Sequence, residues 1–451
     1  MSSIEQSCFW LASREPVPED PPLTADRRTD VVIVGAGFTG LWTALFIKQL
    51  QPDIELVVLE QGIAGYGGSG RNAGIVSACI DHSHALAIAH FGQDEARRLA
   101  QVGADNFEEL AAFAADCDFE RSGQLQVALT AAHVEECARA LDVAAELGLD
   151  GYRLLSAEQA REEIRSPLYM GAVEIARAGI INPVKLVYKL KKEAARLGVE
   201  FYERTRVLGL EPGKVLAAGG SVSARKIVLA TDSYTHHLVP GLLWRFIPLY
   251  DYIVVSEPLT PEQRAAIGWR NRQGVVDGRT FFNYYRLTAD DRILWGTSEA
   301  VYYSPNRVDE SCDHSQAHYK ALKESFVRHF PQLSEVSFPY AWGGPIASTT
   351  RLTPFFGTLD AGRVVYGLGY TGHGIGSTRL AGKILAHMAL SRPDELLKLK
   401  MVTDKPFPYP PEPIRSIAVR QVTRSLQKVD AGENPNLLLR LLDALGIGFS
   451  S

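Results

Sequence analysis

The stretch Asp30-Val-Val-Ile-Val-Gly35-Ala-Gly37-Phe38-Thr39-Gly40, followed by Leu41-Trp-Thr-Ala-Leu-Phe-Ile and then by Ile54-Glu-Leu-Val-Val-Leu-Glu60, restricts the possible folds of this chain most severely. An apolar strand runs into a glycine-rich turn, the turn opens a helix, and a second apolar strand ends on an acid twenty positions after Gly40. Glycines at this spacing serve one geometry. Gly35 permits a tight turn, Gly37 lets the backbone approach a pyrophosphate, and Gly40 lets helix and strand touch. Phe38 and Thr39 lie at the helix N-terminus, where unpaired N–H groups and a partial positive charge favour phosphate. Glu60 is placed to accept hydrogen bonds from ribose hydroxyls, and its charge repels a 2′-phosphate, which argues against NADP.

Two later stretches decide which dinucleotide is expected. Soon after Glu60 comes Gly67-Gly68-Ser69-Gly70-Arg71-Asn72-Ala73-Gly74. An NAD dehydrogenase has no use for a second Gly/Ser/Arg loop here, whereas a longer cofactor needs its second half wrapped. Near the C-terminus, Gly369-Tyr370-Thr371-Gly372-His373-Gly374-Ile375-Gly376 immediately precedes a helical pattern. A helix N-terminus aimed at a flavin N1/C2=O edge stabilises the anionic reduced ring. The expected cofactor is FAD.

Composition excludes several alternatives. With 451 residues, 46% of them hydrophobic and 22% charged, the chain can build two to three domains with ordinary cores. Its net charge of −5 gives no basis for nucleic-acid binding. Five scattered cysteines, never in a CxxC spacing, fit free thiols in a reducing compartment and disfavour zinc. The first residues lack the basic-then-apolar pattern of a signal peptide, and no apolar run approaches the ~20 residues of a membrane span. The expected location is the cytoplasm. Asp81, His82, His84 and His90 lie close in sequence but lack the partners of a metal site, so no metal is expected.

The coarse pattern predicts helices over 93–115, 131–147, 182–197 and 375–390, with Asn182 capping and Pro183 opening the third. Strands are expected at 199–203, 225–230, 246–256, 280–287 and 292–299, the last two joined by the turn Thr288-Ala289-Asp290-Asp291. Residues 434–446 read as an amphipathic helix that docks on its own body or on a second subunit.

These motifs resemble the D-amino-acid-oxidase-like superfamily of FAD-dependent oxidoreductases. The resemblance runs from about residue 9 to 395. It rests on the Gly35–Glu60 unit, Gly68–Asn72, Ala178-Gly-Ile-Ile-Asn182-Pro183-Val-Lys-Leu186, Lys226-Ile-Val-Leu-Ala230-Thr231-Asp-Ser-Tyr234 and the Gly369–Gly376 loop. The leading Phe9-Trp10, the segment Tyr284-Tyr285-Arg286-Leu287 and Trp342-Gly-Gly-Pro-Ile346 look most like the γ-glutamylputrescine-oxidase-like branch. The resemblance implies an α/β fold: a Rossmann-like FAD-binding domain with an interleaved α+β substrate domain on a mixed sheet. It divides the chain into an arm (1–29), FAD-binding parts (30–90, 151–240 and 341–400), a helical part of the substrate domain (91–150), the rest of that domain (241–340) and a tail (401–451). It also assigns Val207, Ala230 and Thr231 to the cofactor.

The resemblance implies oxidation of a small substrate. Family members acting on α-amino acids carry a carboxylate-clamping arginine in a segment reading roughly Gly-x-Arg-Pro, six residues, Pro-x-x-Gly. Counted back from Pro354-Phe-Phe-Gly357, that position holds Ile346, which shifts the expected substrate to an amine. Arg286 and Arg351 are the guanidinium groups left to replace it. Tyr284 stands where relatives place a substrate-facing tyrosine, with Phe282 and Arg286 on its face of the strand. Tyr250, Tyr252, Phe282, Tyr284, Tyr302 and Trp342 are expected to wall the pocket together with Ile346. Tyr284, Arg351 and His373 are the candidate catalytic residues, His373 by touching the ring or polarising substrate. Asp232 departs from the small residue common at its position and is expected to reshape a turn. Oxygen or another acceptor would reoxidise the flavin. Oxidation of a D-amino acid, an aminophosphonate or a non-amine, and a non-catalytic dinucleotide-binding role, are the other readings.

Overall fold

The computed structural model describes residues 3–444 and Ile447. The Gly-rich segment folds as expected. Strand β1 (Arg27–Val34) leads through Gly35–Gly37 into helix α3 (Phe38–Leu50), and β2 (Leu56–Leu59) lies parallel to β1. Two shorter helices, α1 (Ser3–Ser7) and α2 (Phe9–Ala12), precede them. The first sheet continues with β8 (Glu200–Tyr202), β11 (Gly220–Leu229), β17 (Phe355–Leu359) and β18 (Val364–Leu368), in the order β17-β18-β11-β1-β2-β8. All neighbours in it are parallel except β17 and β18. Strands β9 (Val207–Glu211) and β10 (Lys214–Ala217) extend it from β11.

The second sheet is mixed. It contains β4 (Gln124–Ala128), β5 (Tyr152–Ser156), β6 (Gly171–Ile175), β12 (Ile247–Val255), β13 (Gly274–Asp277), β14 (Asn283–Leu287), β15 (Ile293–Val301) and β16 (Tyr340–Ser348). Their order is β16-β12-β15-β14-β13-β4-β6-β5. A small pair, β3 (Ile75–Ser77) with β7 (Ala178–Ile180), bridges the chain between the sheets. The Thr288–Asp291 turn joins β14 to β15, with the Thr288 N–H donating to Arg292 O at 2.8 Å. Asn182 caps the helix Pro183–Arg196 by accepting from the N–H groups of Val184 and Lys185.

The expected boundaries shift in three places. Strands β5 and β6 belong to the second sheet, although residues 151–240 are read from sequence as FAD-binding. Strand β16 joins it too, so the third FAD-binding part begins after Ser348 rather than at 341. The helix Gln93–Phe113, expected in the substrate domain, lays Leu99, Phe107 and Leu110 into one core with Trp42, Leu380 and Ile384 beneath the first sheet. Periodicity shows which face of an element is apolar, not which sheet receives it.

A fourth correction concerns the arm. Residues 13–26 form neither helix nor strand, but α1 and α2 are helical and largely buried. Ile4, Phe9, Trp10 and Leu11 pack with Ile63, Val184, Ile253, Leu294 and Trp342, wedging the N-terminus between the two domains. The Trp10 indole donates to Asn72 O at 2.9 Å. At the other end, the helix Leu437–Ala444 docks on the chain's own helix Ile414–Asp430 through Leu439, Val422 and Leu426. Gly446, where the expected helix ends, lies outside the described residues. Among the described residues no helix is long and apolar enough to cross a membrane.

Trp10→Ala empties a buried indole site and removes a hydrogen bond to the cofactor loop. The expected loss is about 3–5 kcal/mol of stability, read as a lowered thermal midpoint; a dispensable extended arm would leave it unchanged.

Candidate active site

The site is a cleft of ≈ 1440 Å³ of empty volume along the first sheet's strand ends and under β16. Its floor is built by the fingerprint glycines. Gly35 has φ +106°, and a Cβ there would sit 2.6 Å from Ala230 O; one on Gly40 would sit 1.9 Å from Gly35 O. Close packing therefore brings the α3 N-terminus to the ends of β1 and β11. Gly37, Phe38 and Thr39 line the cleft there. Ser69 ties the second loop to this point, its Oγ accepting from the Phe38 N–H at 2.8 Å.

Glu60 lines the cleft but also holds the fold. Its two carboxylate oxygens accept from the N–H groups of Ala36 (2.8 Å) and Gly62 (2.9 Å). Burial raises its pKa and these backbone donors oppose the rise. The acid thus fastens the glycine turn to the end of β2, whatever it offers a ribose.

Gly68, Ser69, Asn72, Val207, Ala230, Thr231, Gly372, Gly374 and Ile375 also line the cleft. Several residues assigned with them do not, and each has a structural task instead. Arg71 turns toward the other domain: Nη1 donates to Asp313 Oδ1 (2.7 Å) and Gly343 O (3.2 Å), and Nε to Tyr66 O (2.7 Å). Ala73 packs in the core beneath α1 and α2. Gly74 has φ +71°, with Ile181 O only 2.2 Å from any Cβ. The Gly376 carbonyl accepts from Asn106, and the Gly369 N–H donates to Asp232. Gly40 serves packing alone. The wall includes Tyr66, Tyr234, Pro345 and Tyr370, which sequence reasoning did not single out.

Asp232 does more than reshape a turn. It lines the cleft with φ +38°, and its oxygens accept from Gly369 N (2.9 Å) and Ala347 N (3.4 Å), joining three segments around the site. Burial pushes its carboxyl up to about 6.

Two of the three candidate catalytic residues are displaced from the site. The His373 ring is not part of the cleft wall; it packs edge-on against His82 at 4.3 Å between centroids. Burial lowers it to about 4, so it is neutral at ordinary pH. Arg351 donates to the carbonyls of Asp404 (3.1 Å), Pro354 (2.9 Å) and Met401 (2.8 Å), tying the tail to the core. Arg286 likewise serves backbone, donating to Gly74 O at 2.9 Å and Ile181 O at 2.6 Å. Sequence spacing places these residues near the cofactor loops, but only the fold shows which way their side chains turn.

The aromatic wall also thins. Tyr252 points to the far face, stacking on His318 and donating to Cys312 O at 2.8 Å. Tyr250 is buried with its hydroxyl on Asp309 O (3.1 Å). Tyr302 bonds Asn306 and Glu412. Trp342 is fully buried, its indole donating to Arg71 O (2.9 Å). Strand alternation explains the split, since Tyr250 and Tyr252 share one parity of β12 and oppose the face turned to the cleft. Ile346 does line the cleft, and Phe282 stands beside Tyr284 with ring centroids 6.3 Å apart.

Tyr284 lies on the same face of the second sheet as Ile346 and has a partner. Its ring lies across β15 over Gly296, where a Cβ would come within 2.2 Å of it. Its hydroxyl reaches Asp251 Oδ2 on β12 at 2.6 Å. Asp251 Oδ1 accepts from Tyr252 N at 2.9 Å. Burial pushes the Asp251 carboxyl up to about 7. Sequence reading passed over Asp251, although an acid amid Ile247-Pro-Leu-Tyr-Asp-Tyr-Ile-Val-Val255 is itself a signal. Among the described residues no His, Cys, Asp and Glu group is placed to hold a metal ion.

Comparison with known proteins agrees with this geometry. The family model described as FAD dependent oxidoreductase matches residues 30–388, and the chain belongs to that family. It is 29% identical to the γ-glutamylputrescine oxidoreductase of Escherichia coli strain K12, over 89% of this chain and 93% of that one. It is 26% identical to a probable oxidoreductase, OrdL, of Haemophilus influenzae, over 91% and 94% of the two chains. Among solved structures, glycine oxidase from Geobacillus kaustophilus superposes with a TM-score of 0.67 at 20% identity, covering 83% of this chain and 98% of that one. The protein is thus an FAD-dependent oxidoreductase, and the cleft fits that cofactor. A helix N-terminus faces glycine-floored space at one end, and the Gly372–Gly374 turn before the helix Gly374–Ala389 lines the other.

Gly37→Val should abolish FAD binding, because the side chain would occupy the cleft beside Ser69. Glu60→Ala should weaken FAD roughly ten- to a hundredfold, the worth of a charge-assisted hydrogen bond. Tyr284→Phe should leave FAD affinity unchanged and alter substrate kinetics. Measured FAD dissociation constants, set beside turnover, check all three. Asp251 supplies a pH test. Its carboxyl holds a proton more tightly in the folded protein than in the unfolded chain, whose aspartates titrate near ~3.9. The stability it contributes is full at acid pH and is lost as pH rises through about 7. Relative to Asp251→Asn, the wild type should lose thermal stability between the acid and alkaline sides of that range.

Proposed function

We propose that the chain oxidises the C–N bond of a small amine rather than an α-amino acid. The observation that carries this reading is the charge of the substrate side: the face of the second sheet turned to the cleft presents the Asp251–Tyr284 pair. Arg286 and Arg351 are spent on backbone carbonyls, and Arg71 already has Asp313 as its counter-charge. Ile346 stands on the cleft wall where a carboxylate-clamping guanidinium is expected in amino-acid oxidases. The names of relatives support the same chemistry, since γ-glutamylputrescine is an amine and 4-methylaminobutanoate oxidase shares 28% identity over 55% of this chain.

FAD, which Gly35–Thr39, Glu60, Gly67–Ser69, Asn72 and the Gly372–Ile375 turn would hold, would supply a two-electron acceptor for the carbon beside nitrogen. The chain's own residues position the amine and exclude water. Tyr66, Tyr234 and Ile346 close the cleft beside the sheet, while the Tyr284 hydroxyl is held in one orientation by Asp251. A reducing compartment such as the cytoplasm suits five cysteines that form no disulfide. The competing reading, an α-amino acid, would draw on Arg71, whose Nη2 has no hydrogen-bond partner within the protein.

Anaerobic mixing of the FAD-loaded protein with amines, D-amino acids and hydroxy acids separates these readings. Carboxylate-free amines should bleach the flavin absorbance. Bleaching by D-alanine but by no such amine would reverse the assignment.

A further inference from the structure

FAD carries a pyrophosphate, and the start of α3 offers it backbone N–H groups. A second stretch of chain reaches the same place. The Thr231 methyl group lies 3.6 Å from where a Cβ on Gly35 would stand. From Thr231 the chain turns back on itself, the Tyr234 N–H donating to Thr231 O at 2.9 Å. The Tyr234 ring then comes within 3.6 Å of a Cβ built on Gly67, two residues before Ser69, whose Oγ accepts from the Phe38 N–H. Gly35, Phe38, Gly67, Ser69, Thr231 and Tyr234 all line the cleft. Tyr234 thus faces the open space at the glycine turn, away from the Gly372–Gly374 turn at the other end.

Its hydroxyl is uncommitted. The Tyr66 hydroxyl reaches Glu310 Oε1 at 3.5 Å, and the Tyr370 hydroxyl accepts from Thr39 Oγ1 at 2.9 Å. The hydroxyl of Tyr234, which is partly buried, has no hydrogen-bond partner among the described residues. Burial raises this phenol above the usual tyrosine range, so it keeps its proton and remains a donor. The Arg71 guanidinium lies within electrostatic reach of it, and Arg71 Nη2 is buried without a partner of its own. A donor left unfilled in a partly buried wall is costly, and a phosphate oxygen is among the strongest acceptors that can fill it.

We propose that Tyr234 is a phosphate-binding residue, its hydroxyl donating to an oxygen of the FAD pyrophosphate that the α3 backbone also binds. Arg71, held by Asp313, supplies positive potential beside it. The glycine fingerprint then provides only part of the phosphate site, and a side chain some 195 positions later provides the rest.

Tyr234→Phe removes the hydroxyl and nothing else. That oxygen has no partner in the protein, so the FAD-free variant should keep the thermal midpoint of the FAD-free wild type. Its FAD dissociation constant should rise roughly ten- to a hundredfold, as for the loss of a hydrogen bond to a charged acceptor. When the variant is reloaded with excess FAD, phosphorus NMR should show displaced pyrophosphate resonances. An unchanged FAD dissociation constant overturns the proposal. Weaker FAD binding with unmoved phosphorus resonances also overturns it, by placing the hydroxyl elsewhere along the cofactor. So does a lowered midpoint of the FAD-free variant, which would assign the hydroxyl to the fold.

Discussion

The contact between Gly40 and the Gly35 carbonyl positions everything else. A methyl group at Gly40 would lie 1.9 Å from that oxygen, so α3 can start only where the strand-to-helix turn leaves no side chain between them. Once it does, the helix N-terminus stands at the open end of the sheet, where an anion gains from unpaired N–H groups. Glu60 then holds the turn from β2 and Ser69 holds it from the second loop. The dinucleotide end of the cleft is assembled from three separated stretches of chain, each held by a hydrogen bond to the same few backbone groups.

Joining this half to the substrate sheet is expensive, because the junction is built partly from buried charges. Arg71 meets Asp313 at 2.7 Å with both side chains nearly inaccessible. Arg286 is 1% exposed and without a carboxylate partner, and burial lowers it to about 9. Desolvation of such groups is offset only by dense hydrogen bonding to carbonyls. Arg286 is committed to backbone carbonyls, while Arg71 keeps one nitrogen, Nη2, without a hydrogen-bond partner in the protein. The same wedge uses the N-terminal helices, whose Trp10 lies under the Arg286 guanidinium and bonds the second loop. Interdomain geometry thus rests on a few buried, densely hydrogen-bonded side chains.

On the substrate face, glycines at 296 and 344 matter as much as the residues that carry chemistry. Gly296 lets the Tyr284 ring cross β15, and Gly344 lets the Arg71 side chain pack against β16, where a Cβ would lie 3.4 Å from Arg71 Cβ. A buried carboxylate is destabilising while it is charged and unpaired, and the Tyr284 hydroxyl and the Tyr252 N–H offset part of that cost for Asp251.

Local sequence determined the parts whose physics is local. The Gly35–Gly40 spacing dictates the turn and helix start, Asn182–Pro183 dictates a cap, Thr288–Asp291 closes a hairpin, and the period of two in β14 sends Tyr284 to one face of the second sheet and Tyr285 into the core on the other. Only tertiary structure decided the rest. His373 and Arg351 stand in the right stretches, yet the ring packs on His82 and the guanidinium ties down the tail. Residues 3–12 read as a polar arm, yet their apolar face fills a gap between domains that exists only once both are folded. Asp251 and Tyr284 are 33 positions apart and meet only because β12 and β14 flank β15, with a glycine between them. Spacing along a chain encodes backbone geometry within an element. Which side chains meet across elements depends on strand order and packing, set by the whole core at once.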